Sequence, residues 1–163
     1  MDFDLTNGRP GDALLYDTPG DFIDLIITRT GPAAHIEILK GANANGFTSV
    51  ASRNGMGVSE YPFRSAGLLA VLRPVGGFDL TMGFTWFESV RGEKYDLKGV
   101  SEDFLAWKDR EAPNELFCSA FGALFYQNCG LPMFNRSWPK GLVTPSDFLK
   151  TPRLDWIWTD FSL

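Results

Sequence analysis

The sequence contains very few of the residue types that enzymes use for acid–base and thiol chemistry. Among its 163 residues there is one histidine, His35, and there are two cysteines, Cys118 and Cys129. Any mechanism that needs an imidazole must therefore use His35. The three residues form neither a close Cys-x-x-Cys pair nor a His-x-x-x-His pair, so the sequence does not indicate a zinc site. We expect no metal and no other cofactor.

The two cysteines are not expected to form a disulfide. They are eleven positions apart in a segment whose pattern predicts one helix, where eleven residues span about 16 Å along the axis. A disulfide requires Cα atoms within about 7 Å of each other. We therefore expect both cysteines to be reduced, which is typical of a reducing compartment.

Long apolar runs and an excess of positive charge are also absent. The longest apolar runs, such as residues 67–72, are far shorter than the roughly 20 residues of a transmembrane helix. Residues 1–4 are acidic and lack the basic and apolar parts of a secretory signal, so we expect a cytoplasmic protein with no membrane span. Fifteen basic and twenty acidic residues give a net charge of −5, which argues against a nucleic-acid partner.

What the sequence does contain is typical of a globular chain. Hydrophobic residues make up 44% and charged residues 21% of it, a balance that excludes a disordered or collagen-like protein. We find no internal repeat, low-complexity tract or linker. The sequence therefore predicts a single domain over residues 1–163.

The order of strand and helix signals predicts an α+β fold with an antiparallel sheet. Apolar or alternating stretches predict strands at residues 12–16, 35–39, 47–51 and 67–73. A Thr-Pro pair at residues 18–19 predicts a helix between the first two strands. In the second half, Phe84, Phe87 and Val90 recur at helical spacing, and a second Thr-Pro pair at residues 144–145 predicts another helix start.

The best-specified helix is predicted over residues 114–128. Asn114 follows a proline and can cap the helix, and Gly130 provides a stop. Cys118 is then the fourth residue of this helix, where free N–H groups and the helix dipole favour a thiolate and can bind an oxyanion. Alternatively, Cys118 is a small buried hydrophobic residue, the usual situation of a free cysteine. We interpret Cys129, at the far end, as a packing residue.

His35 and Glu37 are two residues apart on a predicted strand, so their side chains project from the same face. From that face the strand can present the imidazole to Cys118, with Glu37 orienting it. An imidazole beside a thiol is the usual arrangement of a cysteine nucleophile. The alternative is a solvent-facing polar stripe on an edge strand. The candidate catalytic residues are therefore Cys118, His35 and Glu37.

Six short segments, taken in order, resemble the circularly permuted NlpC/P60 proteins. These are papain-like cysteine hydrolases related to the YiiX and lecithin–retinol acyltransferase groups, and permuted members place the histidine before the cysteine, as here. The resemblance covers residues 11–149 and leaves residues 150–163 as a C-terminal extension. The segments are GDALL (11–15), AHIEI (34–38), NGMGV (54–58), GEKYD (92–96), FCS (117–119) and TPSDFL (144–149).

The resemblance implies a permuted papain-like fold with a five- or six-stranded antiparallel sheet and the nucleophile helix against the histidine strand. Cys118 would be the nucleophile, His35 the base and Glu37 the third polar residue. Two positions depart from the family. Many relatives have glutamate where this chain has Ala120, and a third residue on the next strand would fall near Ser52. Either Glu37 takes over that role or the site is degraded.

The function implied by the resemblance is cleavage of an amide bond through a thioester, with a peptidoglycan stem peptide as the leading substrate. Acyl esters, as substrates of a hydrolase or acyltransferase, come second. The non-enzymatic alternative is an inactive structural or adaptor protein, for example a phage virion or tail component, and similar segments occur in small phage proteins. The aromatic stretch at residues 154–161 tests this alternative. If exposed it suits a protein partner, and if buried it is one more strand.

Overall fold

The structure is a computed structural model that describes residues 3–17, 31–95, 116–134 and 143–160. These residues form an α+β fold, in which a six-stranded antiparallel sheet carries helices on one face. The strands are β1 (Ala13–Tyr16), β2 (His35–Asn43), β3 (Gly46–Arg53), β4 (Gly57–Pro62), β5 (Leu68–Pro74) and β6 (Leu154–Thr159). The helices are α1 (Leu80–Val90) and α2 (Cys118–Asn128), with short 3-10 helices at Leu5–Asn7 and Pro145–Lys150.

The strand order is β4-β3-β2-β1-β5-β6, and every neighbouring pair is antiparallel. Strand β2 therefore lies inside the sheet, between β1 and β3. Its register with β1 pairs Tyr16 with His35 and Leu14 with Glu37. An interior strand that is covered on both sides must bury both of its faces, and residues 35–39 are all buried.

The helical face of the sheet holds the larger core. Ile36 and Ile38 of β2 pack in one buried cluster with Phe121 and Phe125 of α2. Gly122 lets the helix approach this closely, because a Cβ at this position would lie 3.2 Å from the Cδ1 atom of Ile36. The absence of a side chain at Gly122 therefore sets the distance between α2 and β2.

The opposite face of the sheet carries a smaller apolar cluster. Leu14, Tyr16 and Val71 are buried there with Phe3, and Trp158 of β6 covers them. The ring centroids of Phe3 and Trp158 are 5.8 Å apart. Because side chains alternate along a strand, His35 and Glu37 belong to this face of β2 and not to the face that packs on α2.

The structure confirms the four predicted strands and the helix marked by Phe84, Phe87 and Val90. The Thr-Pro pair at residues 144–145 begins a 3-10 helix with a capping box between Thr144 and Asp147. Strand β4 was not predicted. The helix predicted after residues 18–19 lies outside the described residues. No helix in the described part of the chain is long and apolar enough to cross a membrane.

The predicted start of the nucleophile helix is wrong. Helix α2 begins at Cys118, and Phe117 before it is extended, with φ −90° and ψ 166°. Cys118 is therefore the first residue of the helix and not the fourth. Asn114, the predicted cap, lies outside the described residues.

The close contact at Gly122 leads to a stability prediction. Gly122→Val should lower the free energy of unfolding by about 1 to 3 kcal/mol, the usual cost of inserting atoms into a packed core, because its side chain must displace Ile36. Urea unfolding with an unchanged m-value would measure this loss. Valine has a higher helix propensity than glycine, so propensity does not explain a loss at position 122. Gln127→Val, at an exposed position of the same helix, measures the cost of a β-branched side chain without core contacts. Equal losses in the two variants would contradict close packing at Gly122.

Candidate active site

Cys118 lies at the positive end of α2, against the end of the sheet where β2 begins and β3 ends. The preceding segment is tied to its surroundings, since the Ser52 hydroxyl donates to the carbonyl of Leu116 and the Leu116 N–H donates to the carbonyl of Lys94 at 3.0 Å. The first N–H groups of a helix have no partner within it. They and the helix dipole stabilise negative charge on the Cys118 sulfur. The side chain is fully buried.

His35 is the first residue of β2, just as Cys118 is the first residue of α2. Its side chain is 11% exposed. Cys118 lies close enough to the imidazole to raise the pKa of His35, although Ile36 and not His35 faces the helix. His35 and Cys118 are therefore close to each other at the N-terminal ends of β2 and α2.

The neighbours of His35 favour its protonated form. Burial acts against the charge and lowers the pKa of His35, but the charge of a Cys118 thiolate, the hydrogen bond to it, and the hydrogen bond and charge of Glu37 together raise the pKa to about 9. Near neutral pH the imidazole is therefore protonated, and it lies beside a cysteine at the start of a helix. Cysteine nucleophiles place an imidazole beside the thiol in the same way.

Glu37 holds the other side of the imidazole. The Nε2 atom of His35 donates to Oε1 of Glu37 at 3.2 Å, which leaves Nδ1 as the ring nitrogen for Cys118. Ser49 donates to Oε2, and Arg53 donates to Oε1 from Nε at 3.0 Å and from Nη2 at 2.7 Å. Burial raises the pKa of Glu37, but these bonds and the charges of His35 and Arg53 lower it to about 2.

Two arginines that the sequence analysis did not identify complete the cluster. Arg53 stacks over the ring of Tyr61 at 4.0 Å, and Arg64 stacks over the ring of Tyr16 at 4.4 Å. The Nε atom of Arg64 lies 3.9 Å from Oε1 of Glu37. No spacing in the sequence indicated either residue, because both reach Glu37 from other segments of the sheet.

The structure thus brings Cys118, His35 and Glu37 into one contiguous cluster. The alternative of a solvent-facing stripe on an edge strand is wrong, because β2 is an interior strand and Glu37 is fully buried. Ser52 is no partner of His35 but holds the carbonyl of Leu116. Ala120 packs with Tyr95 and Phe117.

The second cysteine takes no part in the cluster. Cys129 follows the last residue of α2 and packs against α1, where a Cβ on Gly83 would lie 2.3 Å from its sulfur. Burial raises the pKa of the Cys129 thiol to about 11, so it stays protonated at neutral pH. Both cysteines are free, in agreement with the expectation that they do not form a disulfide.

The single histidine makes the charge state of the cluster measurable. NMR titration of the His35 ring should give a midpoint near pH 9, because the imidazolium is the favoured form at every lower pH. Cys118→Ala removes the sulfur and should shift the midpoint toward the ordinary histidine value near 6.5. Cys129→Ala, which removes the other thiol, should leave it unchanged. A wild-type midpoint at or below 6.5 would rule out the ion pair.

Glu37 should also determine acid stability. The pKa of Glu37 is about 2 in the folded chain and ordinarily 4.5, so its contribution is present above pH 4.5 and is lost as the pH falls through 2. Glu37→Gln leaves Arg53 without its carboxylate and should cost roughly 3 to 5 kcal/mol at pH 7. The difference from wild type should shrink at pH 2, as urea unfolding at both pH values would show.

A surface carboxylate provides the control for this measurement. Glu60 pairs with Lys40 at 2.5 Å, where both side chains are partly exposed. Glu60→Gln should therefore cost less than about 1 kcal/mol, as is usual for surface ion pairs. Equal losses from Glu37→Gln and Glu60→Gln would contradict a central role for the buried carboxylate.

Comparison with known proteins does not assign a family. No protein-family model matches the sequence, and a search of curated proteins finds no match. The function must therefore be argued from the site itself. The site holds a cysteine at a helix N-terminus, a buried imidazole hydrogen-bonded to it, and a buried carboxylate on the far ring nitrogen.

Proposed function

We propose that this chain is a papain-like cysteine hydrolase that cleaves an amide bond through a thioester. The observation that carries the proposal is the hydrogen-bonded series Cys118, His35 and Glu37, buried at the meeting point of α2 and β2. A thiol, a base and a group that orients the base are the three parts of a cysteine nucleophile.

The proposed reaction uses each part in turn. The thiolate of Cys118 attacks the carbonyl carbon, and the oxygen, now negative, is bound by the N–H of Cys118 at the start of α2. The His35 imidazolium gives its proton to the leaving amine, whose bond to carbon breaks, and a thioester remains. His35 then takes a proton from water as the water attacks the thioester. The carbon–sulfur bond breaks, which releases the acid and restores the Cys118 thiolate beside the His35 imidazolium.

Glu37 is proposed to orient His35 in this mechanism. Its bond to Nε2 holds the ring so that Nδ1 meets the sulfur, and its charge stabilises the imidazolium. In the permuted NlpC/P60 proteins whose third residue comes from the next strand, the matching position falls near Ser52, and the Ser52 hydroxyl donates to the carbonyl of Leu116. The position of Glu37 therefore supports the proposal that Glu37, on the same strand as His35, takes over the role of the residue missing from the next strand.

The substrate proposal rests on the resemblance to permuted NlpC/P60 proteins. In that fold the histidine strand precedes the nucleophile helix along the chain, as β2 precedes α2 here. The proposed substrate is accordingly a peptide bond of a bacterial cell-wall stem peptide, cleaved by an endopeptidase. Muropeptide digestion followed by mass spectrometry would test it, with Cys118→Ala as the inactive control.

Alkylation by iodoacetamide tests the nucleophile before any substrate is known. In the wild type the rate at Cys118 should change little between pH 6 and 9, because the His35 imidazolium keeps its proton up to about pH 9. In His35→Ala the rate should fall by about tenfold or more at pH 6.5, where a thiol of ordinary pKa near 8.5 is almost fully protonated. Cys118→Ser identifies the labelled site.

Two results of this assay would exclude the hydrolase. One is a Cys118 that does not react at any pH in this range, and the other is a rate that His35→Ala leaves unchanged. Cys129 does not confuse the measurement, because burial raises the pKa of its thiol to about 11.

The full burial of Cys118 favours a second candidate function, a structural or adaptor protein in which the cluster only stabilises the fold. Strand β6 forms one edge of the sheet, and Trp156 and Ile157 on it are 46% and 36% exposed. Trp158 beside them lines a surface cavity of about 490 Å³ with Arg73. Exposed large apolar side chains of this kind suit a protein partner. An inert Cys118 in the alkylation assay would support this candidate.

A further inference from the structure

Arg64 is the most loosely held charge of the cluster. Among the described residues, its Nε is the one buried side-chain nitrogen or oxygen without a hydrogen-bond partner. The nearest carboxylate atom, Oε1 of Glu37, is 3.9 Å away, and this oxygen already accepts bonds from His35 and Arg53. Arg64 therefore stands beside an acceptor that has no capacity left for it.

The charges of the cluster do not cancel. The His35 imidazolium balances a Cys118 thiolate, and Glu37 balances Arg53, its bidentate partner. Among the described residues, Glu37 is the one carboxylate paired with Arg64, at 3.9 Å, and it is shared with Arg53. In a partly buried site of low effective dielectric, the charge of Arg64 attracts an anion more strongly than it would in water.

The position of Arg64 is also defined. Its guanidinium lies over the Tyr16 ring at 4.4 Å, and the hydroxyl of Tyr16 donates to its backbone carbonyl at 3.3 Å. The ring of Tyr16 is in turn 6.2 Å from that of His35. The Arg64 side chain is 38% exposed and that of Arg53 is 20% exposed. Arg64 is thus the arginine that offers free N–H groups to solvent next to His35.

We propose that Arg64 binds a carboxylate of the substrate beside the Cys118–His35 pair. A guanidinium matches a carboxylate with two parallel hydrogen bonds. The proposal rests on the proposed hydrolase function, and it narrows the substrate class to peptides or acyl compounds with a free carboxylate close to the scissile bond.

Two alkylating reagents that differ in one charge provide the first test. Iodoacetate carries the carboxylate and iodoacetamide does not, and both attack the same thiolate, so the ratio of their rates at Cys118 is independent of the thiolate fraction. Arg64→Gln should lower the iodoacetate-to-iodoacetamide ratio by roughly tenfold, the usual effect of one charge-assisted hydrogen-bond site. Arg64→Lys keeps the positive charge but cannot form two parallel hydrogen bonds with a carboxylate. Its iodoacetate-to-iodoacetamide rate ratio should therefore lie between those of the wild type and Arg64→Gln.

Arg153→Gln is the matched control, since it removes the same charge from an exposed turn next to β6, and β5 and β1 separate that strand from β2. At about 0.15 M salt the iodoacetate-to-iodoacetamide rate ratio of Arg153→Gln should stay within about twofold of the wild-type ratio, because distant exposed charges are screened. The carboxylate site would be overturned if Arg64→Gln kept the iodoacetate-to-iodoacetamide rate ratio of the wild type. It would also be overturned if Arg153→Gln lowered this ratio as much as Arg64→Gln does.

A binding measurement separates this proposal from the hydrolase. Sodium acetate, added at constant ionic strength with sodium chloride, should shift the single histidine signal of the wild type to saturation, and Arg64→Gln should abolish the shift. If Cys118 is unreactive or His35→Ala has no effect on alkylation, the hydrolase fails and the acetate result alone decides on Arg64. If His35→Ala slows alkylation but acetate gives no Arg64-dependent shift, the carboxylate site fails and the hydrolase stands.

Discussion

The buried carboxylate of Glu37 is the interaction on which the site depends. Removing a carboxylate from water costs several kcal/mol unless its oxygens are bonded, and Glu37 is fully buried on an interior strand. Its partners come from β2 itself and from β3, with Arg64 nearby from the segment between β4 and β5. The Glu37 carboxylate therefore links β2 to β3 at one end of the sheet. Its hydrogen bond to His35 also orients the imidazole.

The direction of the His35 side chain depends on its position as the first residue of β2. Alternation along the strand places Ile36 against α2 and directs His35 to the other face. As the first residue of the strand, His35 can still reach the end of α2, where Cys118 is also a first residue. The close approach of α2 to β2 at Gly122 brings these two ends together.

Periodicity and local signals predicted much of this arrangement. The alternation around residues 35–39 placed His35 and Glu37 on one face, and the helix signals placed Cys118 near a helix N-terminus. The predicted start failed because tertiary bonds hold the residues before Cys118: Ser52 and Lys94 bind both polar groups of Leu116. The interior place of β2 and the contacts of Arg53 and Arg64 depend on strand order and on non-local packing, which a single sequence does not display.

The side chains of the cluster differ in how much of their surface is exposed to solvent. Cys118 and Glu37 have no exposed surface, the His35 side chain is 11% exposed and that of Arg64 is 38% exposed. Solvent therefore meets the cluster first at Arg64, on the face of the sheet opposite the helices. Charges that are shielded from water interact more strongly with their neighbours, so the burial of Glu37 and His35 strengthens the bond between them.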